Sequence, residues 1–320
     1  MALKKNLITN QKIIISDGII GGGKRLLSDL ISSLPKIDQW MLDYKIEQTI
    51  GLFYLKKIDL TTAKYILRSN YNQIFYDNSM LRHANFRKSD LTSVTKHPRF
   101  KLIKKRLKPN DKIIFKNYKN KIILHFCTHN ISIFSKPLFE SFGKNLVFLQ
   151  LLRSPLNVDV LKRISFFSDI WKKTSGRYQL VTKYSAEHKQ NVPFFIKQIN
   201  QYCKANKYEK AILILEKIFD RKKLNLNKYK KRYKSKIICI PFEKFIAEPK
   251  IYIKKIASNL GVKMDGITLD VINKNSLPRK FLLGKNNKDG IKYIKGKVRK
   301  SFFLRLIKVN KFYEKNILNR

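Results

Sequence analysis

The stretch Ile13-Ile14-Ile15-Ser16-Asp17-Gly18-Ile19-Ile20-Gly21-Gly22-Gly23-Lys24-Arg25-Leu26-Leu27 constrains this chain more than any other. A β-branched run ends in a turn dense in glycine, and the turn runs straight into an amphipathic segment reaching Leu34. That order reads as strand, loop and helix N-terminus. Glycines let backbone N–H groups converge with no Cβ in the way, and the helix dipole adds partial positive charge. Lys24 and Arg25 bring two formal charges to the same place. Such a nest suits a phosphate group.

The spacing Gly18-x-x-x-x-Gly23-Lys24 matches the phosphate-binding loop G-x-x-x-x-G-K-[ST] at every position but the last. A nucleotide hydrolase places a Ser or Thr hydroxyl there to hold Mg²⁺. Arg25 stands in its place, and a guanidinium has donors but no lone pair to offer a cation. The expectation is an anion site that works without a metal. A glycine-rich turn that binds nothing is the plain alternative.

The rest of the chain alternates strand and helix patterns. Strands are expected at about 12–16, 37–41, 122–127, 146–152 and 237–240, the strongest being the uninterrupted apolar run Leu146–Leu152. Pro155 suits the first position of the helix that follows. Helices are expected from Tyr44 to about Ile74, along the apolar face Tyr208, Ala211, Ile212, Leu215, Ile218 and Phe219, and from Pro249 to Leu260 with Gly261 as terminator. This predicts a three-layer α/β/α sandwich with a central parallel sheet of about five strands, in a single domain over 1–320. Helical insertions fall at about 43–120 and 165–235, and a basic tail at about 279–320. Crevices at the carboxyl ends of such strands are where ligands bind.

Four blocks in this order resemble the sulfotransferases that use 3′-phosphoadenosine-5′-phosphosulfate (PAPS), a P-loop NTPase-like fold. The family's G-x-x-R-S-G-T-T-L-L block lines up with Gly18 to Leu27, its strand ending in Thr-His with Cys127-Thr128-His129, and its strand ending in Arg-x-Pro with Leu152-Arg153-Ser154-Pro155. Its Tyr-Glu-Asp-Leu, Pro and Leu-Gly pattern lines up with Phe242-Glu243-Lys244-Phe245, Pro249 and Leu260-Gly261. The resemblance implies that Gly18, Gly21, Gly22, Gly23, Lys24, Arg25 and Leu26 hold the phosphosulfate. It likewise implies that Arg153 holds the 3′-phosphate and His129 is the general base. Lys24 would supply charge to the transferring group, and no metal takes part. The chain departs from the family pattern in placing Lys24 and Arg25 where paired threonines stand and Leu161 where a serine stands. His125 lies within a buried-strand pattern and reads as core.

Net charge is +47, from 69 basic and 22 acidic residues, while 43% of residues are hydrophobic, enough to form a packed core. Segment 96–121 carries eleven basic residues and one acid, and 279–320 carries fourteen and two. Basic residues bordering a crevice favour a hydroxyl-bearing acceptor that is acidic, such as an anionic glycan or a lipid-linked sugar, with peripheral contact to an anionic membrane. Two other readings stay open. One is a nucleotide-dependent kinase or NTPase, disfavoured by Arg25 and by the lack of an acid closing 146–152. The other is a non-catalytic basic binder of nucleic acid or an anionic surface, with Tyr293, Phe302, Phe303, Phe312 and Tyr313 available for stacking, which leaves the glycine loop without a purpose. Cys127, Cys203 and Cys239 have no metal-ligand spacing and read as reduced core thiols. With no secretory signal pattern and no apolar run of ~20 residues, a cytoplasmic setting is expected.

Overall fold

The computed structural model describes residues 5–107, 110–119, 121–173, 182–220 and 226–319. Strands β1 (Ile13–Gly18), β2 (Met41–Leu42), β3 (Leu124–His129), β4 (Leu146–Leu152) and β7 (Lys236–Pro241) form one sheet, with β5 (Thr182–Ser185) and β6 (Gln190–Pro193) as a separate antiparallel pair. The five strands are all parallel, in the order β2-β3-β1-β4-β7. The central strand β1 and its neighbour β4 are buried along their whole length. Helices cover the two faces of such a sheet, which is why these strands read as unbroken apolar runs.

Alternation along the pleat divides the core. Ile14, Val147, Leu149 and Leu151 face the layer of α1 (Lys24–Ser32) and the helices Phe242–Ala247, Pro249–Leu260 and Gly266–Lys274. Ile13, Ile15, Phe126 and Phe148 face a larger layer. That layer holds α2 (Tyr44–Tyr54), α3 (Leu60–Ser79), α6 (Lys136–Phe142), α7 (Val158–Lys173), α9 (Lys207–Ile218) and the C-terminal helices Leu283–Ile294 and Lys300–Tyr313. Three short helices complete the chain's middle: α4 (Phe100–Ile103), α5 (Asp111–Tyr118) and α8 (Ile199–Lys204). Asp43, Asp59 and Asn206 cap α2, α3 and α9, each accepting from a first-turn backbone N–H. The layered fold matches the sequence expectation.

Several local expectations do not hold. The second strand is Met41–Leu42, so of the run expected at 37–41 Met41 lies in the strand and Ile37 pairs through an isolated bridge to Ile123. Pro155 lies in a turn ahead of α7, because the Asn157 side chain caps that helix by accepting from Asp159 and Val160 N–H. The region 165–235, expected to be helical, contains the β5–β6 hairpin. Cys127 is a core thiol, but Cys203 is half-buried and Cys239 is exposed on the outer strand β7. None of the three is in a disulfide.

The two basic segments part company. Segment 96–121 docks at the amino edge of the sheet, the end opposite the glycine loop. There Arg99 binds the Ser33 carbonyl at the end of α1 and forks onto Asp265, while the His97 ring meets the Ile37 carbonyl. The C-terminal segment is no tail. Phe302 and Tyr313 are buried in the main core beside Leu306, and Tyr293, Phe303 and Phe312 are half-buried against it. No helix among the described residues is long and apolar enough to cross a membrane.

Candidate active site

The glycine loop runs from the end of β1 into α1. Gly18 has no room for a side chain, since a Cβ there would lie 2.6 Å from the Leu151 carbonyl oxygen of β4. Gly23 is the N-cap of α1 in a left-handed conformation, φ +91°, with no side chain capping the helix. The Phe242 ring covers it so closely that a Cβ would sit 2.1 Å from the ring. The first-turn N–H groups of α1 therefore have neither an intrahelical nor a side-chain partner, the arrangement that receives an anion.

The charged residues of the loop divide by role. Lys24 is buried, and its ammonium donates to the carbonyls of Gly18 at 2.7 Å and Ile19 at 3.1 Å. Burial pushes its pKa down, against the nearby Cys127, Asp17 and Glu47, which push it up. Arg25 points to solvent and pairs with Asp29 at 3.8 Å. Leu26 packs its side chain into the core layer of α1, leaving only backbone to offer.

His129 is placed beside the loop by strand register. It pairs directly with Gly18 across β1 and β3, so the two residues are neighbours about 5 Å apart. A single carboxylate oxygen of Glu47 accepts from both the His129 backbone N–H, at 2.8 Å, and the ring Nδ1, at 2.9 Å. A carboxylate only accepts, so Nδ1 carries a proton toward Glu47, and in the neutral ring Nε2 is the nitrogen with the lone pair. Asp17 fixes the turn that follows. Its carboxylate accepts from the Thr128 hydroxyl and from the N–H groups of Ile131 and Ser132, at 3.0, 3.0 and 2.9 Å. His125 is core as expected: its Nε2 pairs with the Ser16 hydroxyl, and burial lowers its pKa to about 3.

Arg153 closes the other side. It donates from Nη1 to the Gly21 carbonyl at 2.7 Å and from Nη2 to Asp159 at 3.3 Å, and its guanidinium lies 4.4 Å from the centre of the Phe242 ring. Nε is buried and has no hydrogen-bond partner among the described residues. Arg153 therefore touches the loop through Gly21 while its Nε has no partner among the described residues. Behind it, Glu243 accepts from the Ser154 N–H and the Tyr313 hydroxyl, and burial raises its pKa. Ser154 in turn meets Asn310 and Asn286, so the C-terminal helices lock onto the end of β4.

Sequence reading missed Glu47 as His129's partner, 82 residues away. The available signal was an acid beside Ile46 and Ile50 on the apolar side of α2, where an unpaired carboxylate would be unfavourable. The contacts of Tyr313 with Glu243 and of Asn310 with Ser154 were missed because the basic excess of their segment made it read as a tail.

No protein-family model matches the chain, and no curated protein matches it. Among solved structures it is similar to the sulfotransferase domain of the olefin synthase of Synechococcus PCC 7002, at 12% identity and a TM-score of 0.47, covering 98% of each chain. It is also similar to the sulfotransferase domain from the curacin biosynthetic pathway, at 12% identity and a TM-score of 0.39, covering 93% of this chain and 96% of that one. A third is sulfotransferase STF9 from Mycobacterium avium, at 9% identity and a TM-score of 0.40, covering 89% and 76%.

Proposed function

We propose that the chain transfers a sulfuryl group from PAPS to a hydroxyl or amine of an acceptor. The observation that carries this reading is the Glu47–His129 pair, held in register with Gly18 at the glycine loop. An oriented base beside an anion-binding turn suits a reaction that deprotonates an acceptor while an anionic group is transferred. Simple anion binding needs no such base.

PAPS, when bound, supplies the sulfuryl group and leaves as a nucleotide with phosphates at two positions. The residues present fit it: glycines where a Cβ would fill the cradle, uncapped first-turn N–H groups, and an unpartnered Arg153 Nε. The Gly21–Leu26 backbone and Lys24 would hold the phosphosulfate, and Arg153 the 3′-phosphate. Lys24 keeps a donor beyond its two carbonyl bonds and sets positive charge where negative charge grows. His129 Nε2 takes the acceptor's proton, while Glu47 holds Nδ1–H and steadies the imidazolium. Arg25 leaves no oxygen ligand for Mg²⁺ at the motif's last position.

Only the C-terminal basic segment lies at the crevice end of the sheet. Lys285 and Lys288, exposed beside Asn286, support an acidic acceptor such as an anionic glycan or a lipid-linked sugar. The test is calorimetric titration with adenosine 3′,5′-bisphosphate in excess EDTA, beside ATP with Mg²⁺. The bisphosphate should bind, and Arg153→Ala should weaken it by ~1.5–3 kcal/mol. Tight Mg²⁺-dependent ATP binding with no affinity for the bisphosphate would replace this reading with the kinase one.

A further inference from the structure

We infer that the outward face of the pieces 100–107 and 111–118 is a docking surface for an anionic lipid bilayer. In this segment inward and outward residues differ sharply in chemistry. Ile103 and Arg106 point inward from α4 and the following turn Lys104–Arg106, and Ile114 points inward from α5. Ile103 sits in a small satellite core with Leu81 and Val94. The Arg106 guanidinium is buried on Asp38 at 3.0 Å and lies over the Tyr118 ring at 5.6 Å, which joins α5 to the α4 turn.

The outward residues are Lys101, Leu102, Lys104, Lys105 and Leu107 from the first piece, and Lys112, Ile113 and Lys116 from the second. Leu102, Leu107 and Ile113 are 54%, 50% and 54% exposed, among the most exposed large aliphatic side chains described. Three such residues interleaved with five lysines form a basic, apolar surface. The one acid of the segment, Asp111, is already paired with Arg82.

Charge complementarity names the occupant. Aliphatic side chains enter the headgroup boundary, and lysines beside them meet anionic headgroups and snorkel along the surface. A soluble protein partner would gain little from five mobile lysine chains, whereas a bilayer accommodates them without a fixed geometry. The segment docks at the amino edge of the sheet through Arg99 and His97, so the glycine loop and His129 lie at the far end. Attachment and chemistry are therefore separable, and this inference stands independently of the proposed reaction.

The test is co-sedimentation with vesicles of mixed phosphatidylglycerol and phosphatidylcholine, and with phosphatidylcholine alone, at about 0.15 M salt. The full chain should partition onto the anionic vesicles only. Leu102→Gln/Leu107→Gln/Ile113→Gln, which leaves every charge in place, should lower that partitioning about tenfold. Lys101→Gln/Lys104→Gln/Lys105→Gln should weaken it far more than a charge-matched control, Lys300→Gln/Lys308→Gln/Lys311→Gln, on the C-terminal helix. Circular dichroism and size-exclusion chromatography accompany each variant. Equal losses from the two lysine variants would mean that the overall charge of +47 binds anionic surfaces without a dedicated face, and would overturn the proposal. An unaffected aliphatic variant, or a parent dimer that this variant dissociates, would overturn it as well, the latter in favour of a second copy of the chain.

Discussion

At the residue scale, the proposed transfer depends on how the His129 ring and the Glu47 carboxylate are held. His129→Asn should lower the rate of sulfuryl transfer ~10²–10⁴-fold, the range for losing a general base, with bisphosphate affinity unchanged. Glu47→Gln should lower it by ~10–10²-fold at nearly constant acceptor KM, since the ring then loses its fixed tautomer but not its place. Steady-state kinetics on both variants check this, and a Glu47→Gln enzyme at the parent's rate would leave Glu47 a structural role only. His129 and Arg153 were legible as strand-end residues. Glu47 was not, because a hydrogen bond between residues 82 positions apart leaves no local pattern. Arg106 teaches a related lesson about charge. It reads as one lysine-like charge in a basic run, yet it is 7% exposed and paired with a buried Asp38. Arg106→Gln should destabilise by ~3–5 kcal/mol by stranding that carboxylate, whereas Lys104→Gln should stay within ~0.5 kcal/mol. Urea titrations with matched slopes would separate the two.

At the element scale, the junction of β1 with α1 is shaped by contact with a distant helix as much as by its own glycines. Gly23→Ala meets two obstacles, a left-handed φ of +91° and the Phe242 ring at 2.1 Å. The expected loss is roughly 2–4 kcal/mol, with weakened nucleotide binding. Adding Phe242→Ala should restore part of it, the steric part, and leave the backbone strain. Thermal melts of the single and double variants give the answer, and full recovery would show that φ contributes nothing. Long buried strands and capped helices were readable because burial on both faces leaves uninterrupted apolar runs and capping uses short polar side chains. The two-residue β2 and the β5–β6 hairpin were not. A strand that short carries no period, and β5 is half-buried at Thr182, Lys183 and Ser185 and exposed at Tyr184, so no apolar face marks it.

At the scale of the whole molecule, burial of ionisable groups sets the response to pH. His97 and His125 are held neutral by burial, with pKa values lowered to about 4 and about 3. Between those values and the ordinary 6.5 the unfolded chain binds more protons, so their contribution is complete above pH 6.5 and is lost as pH falls. Each should remove about 1.4 kcal/mol per pH unit within its window. Asp29, Asp43 and Glu243, whose pKa values burial raises, act in the opposite sense, so the measurement is a difference. His97→Gln and His125→Gln should each flatten the acid limb of stability against pH, and parallel limbs would refute the assignment. The sequence by itself determined the layered α/β/α architecture, the glycine loop and the strand ends that carry His129 and Arg153, because buried runs, glycines and helix stops are local facts. Only the tertiary structure decided that Glu47 orients His129, that Arg153 grips the loop, and that the basic C-terminal segment is core. It also sent one basic run to the far edge of the sheet. Those outcomes depend on which distant side chain fills a cavity or satisfies a buried charge, and packing across the chain alone determines that.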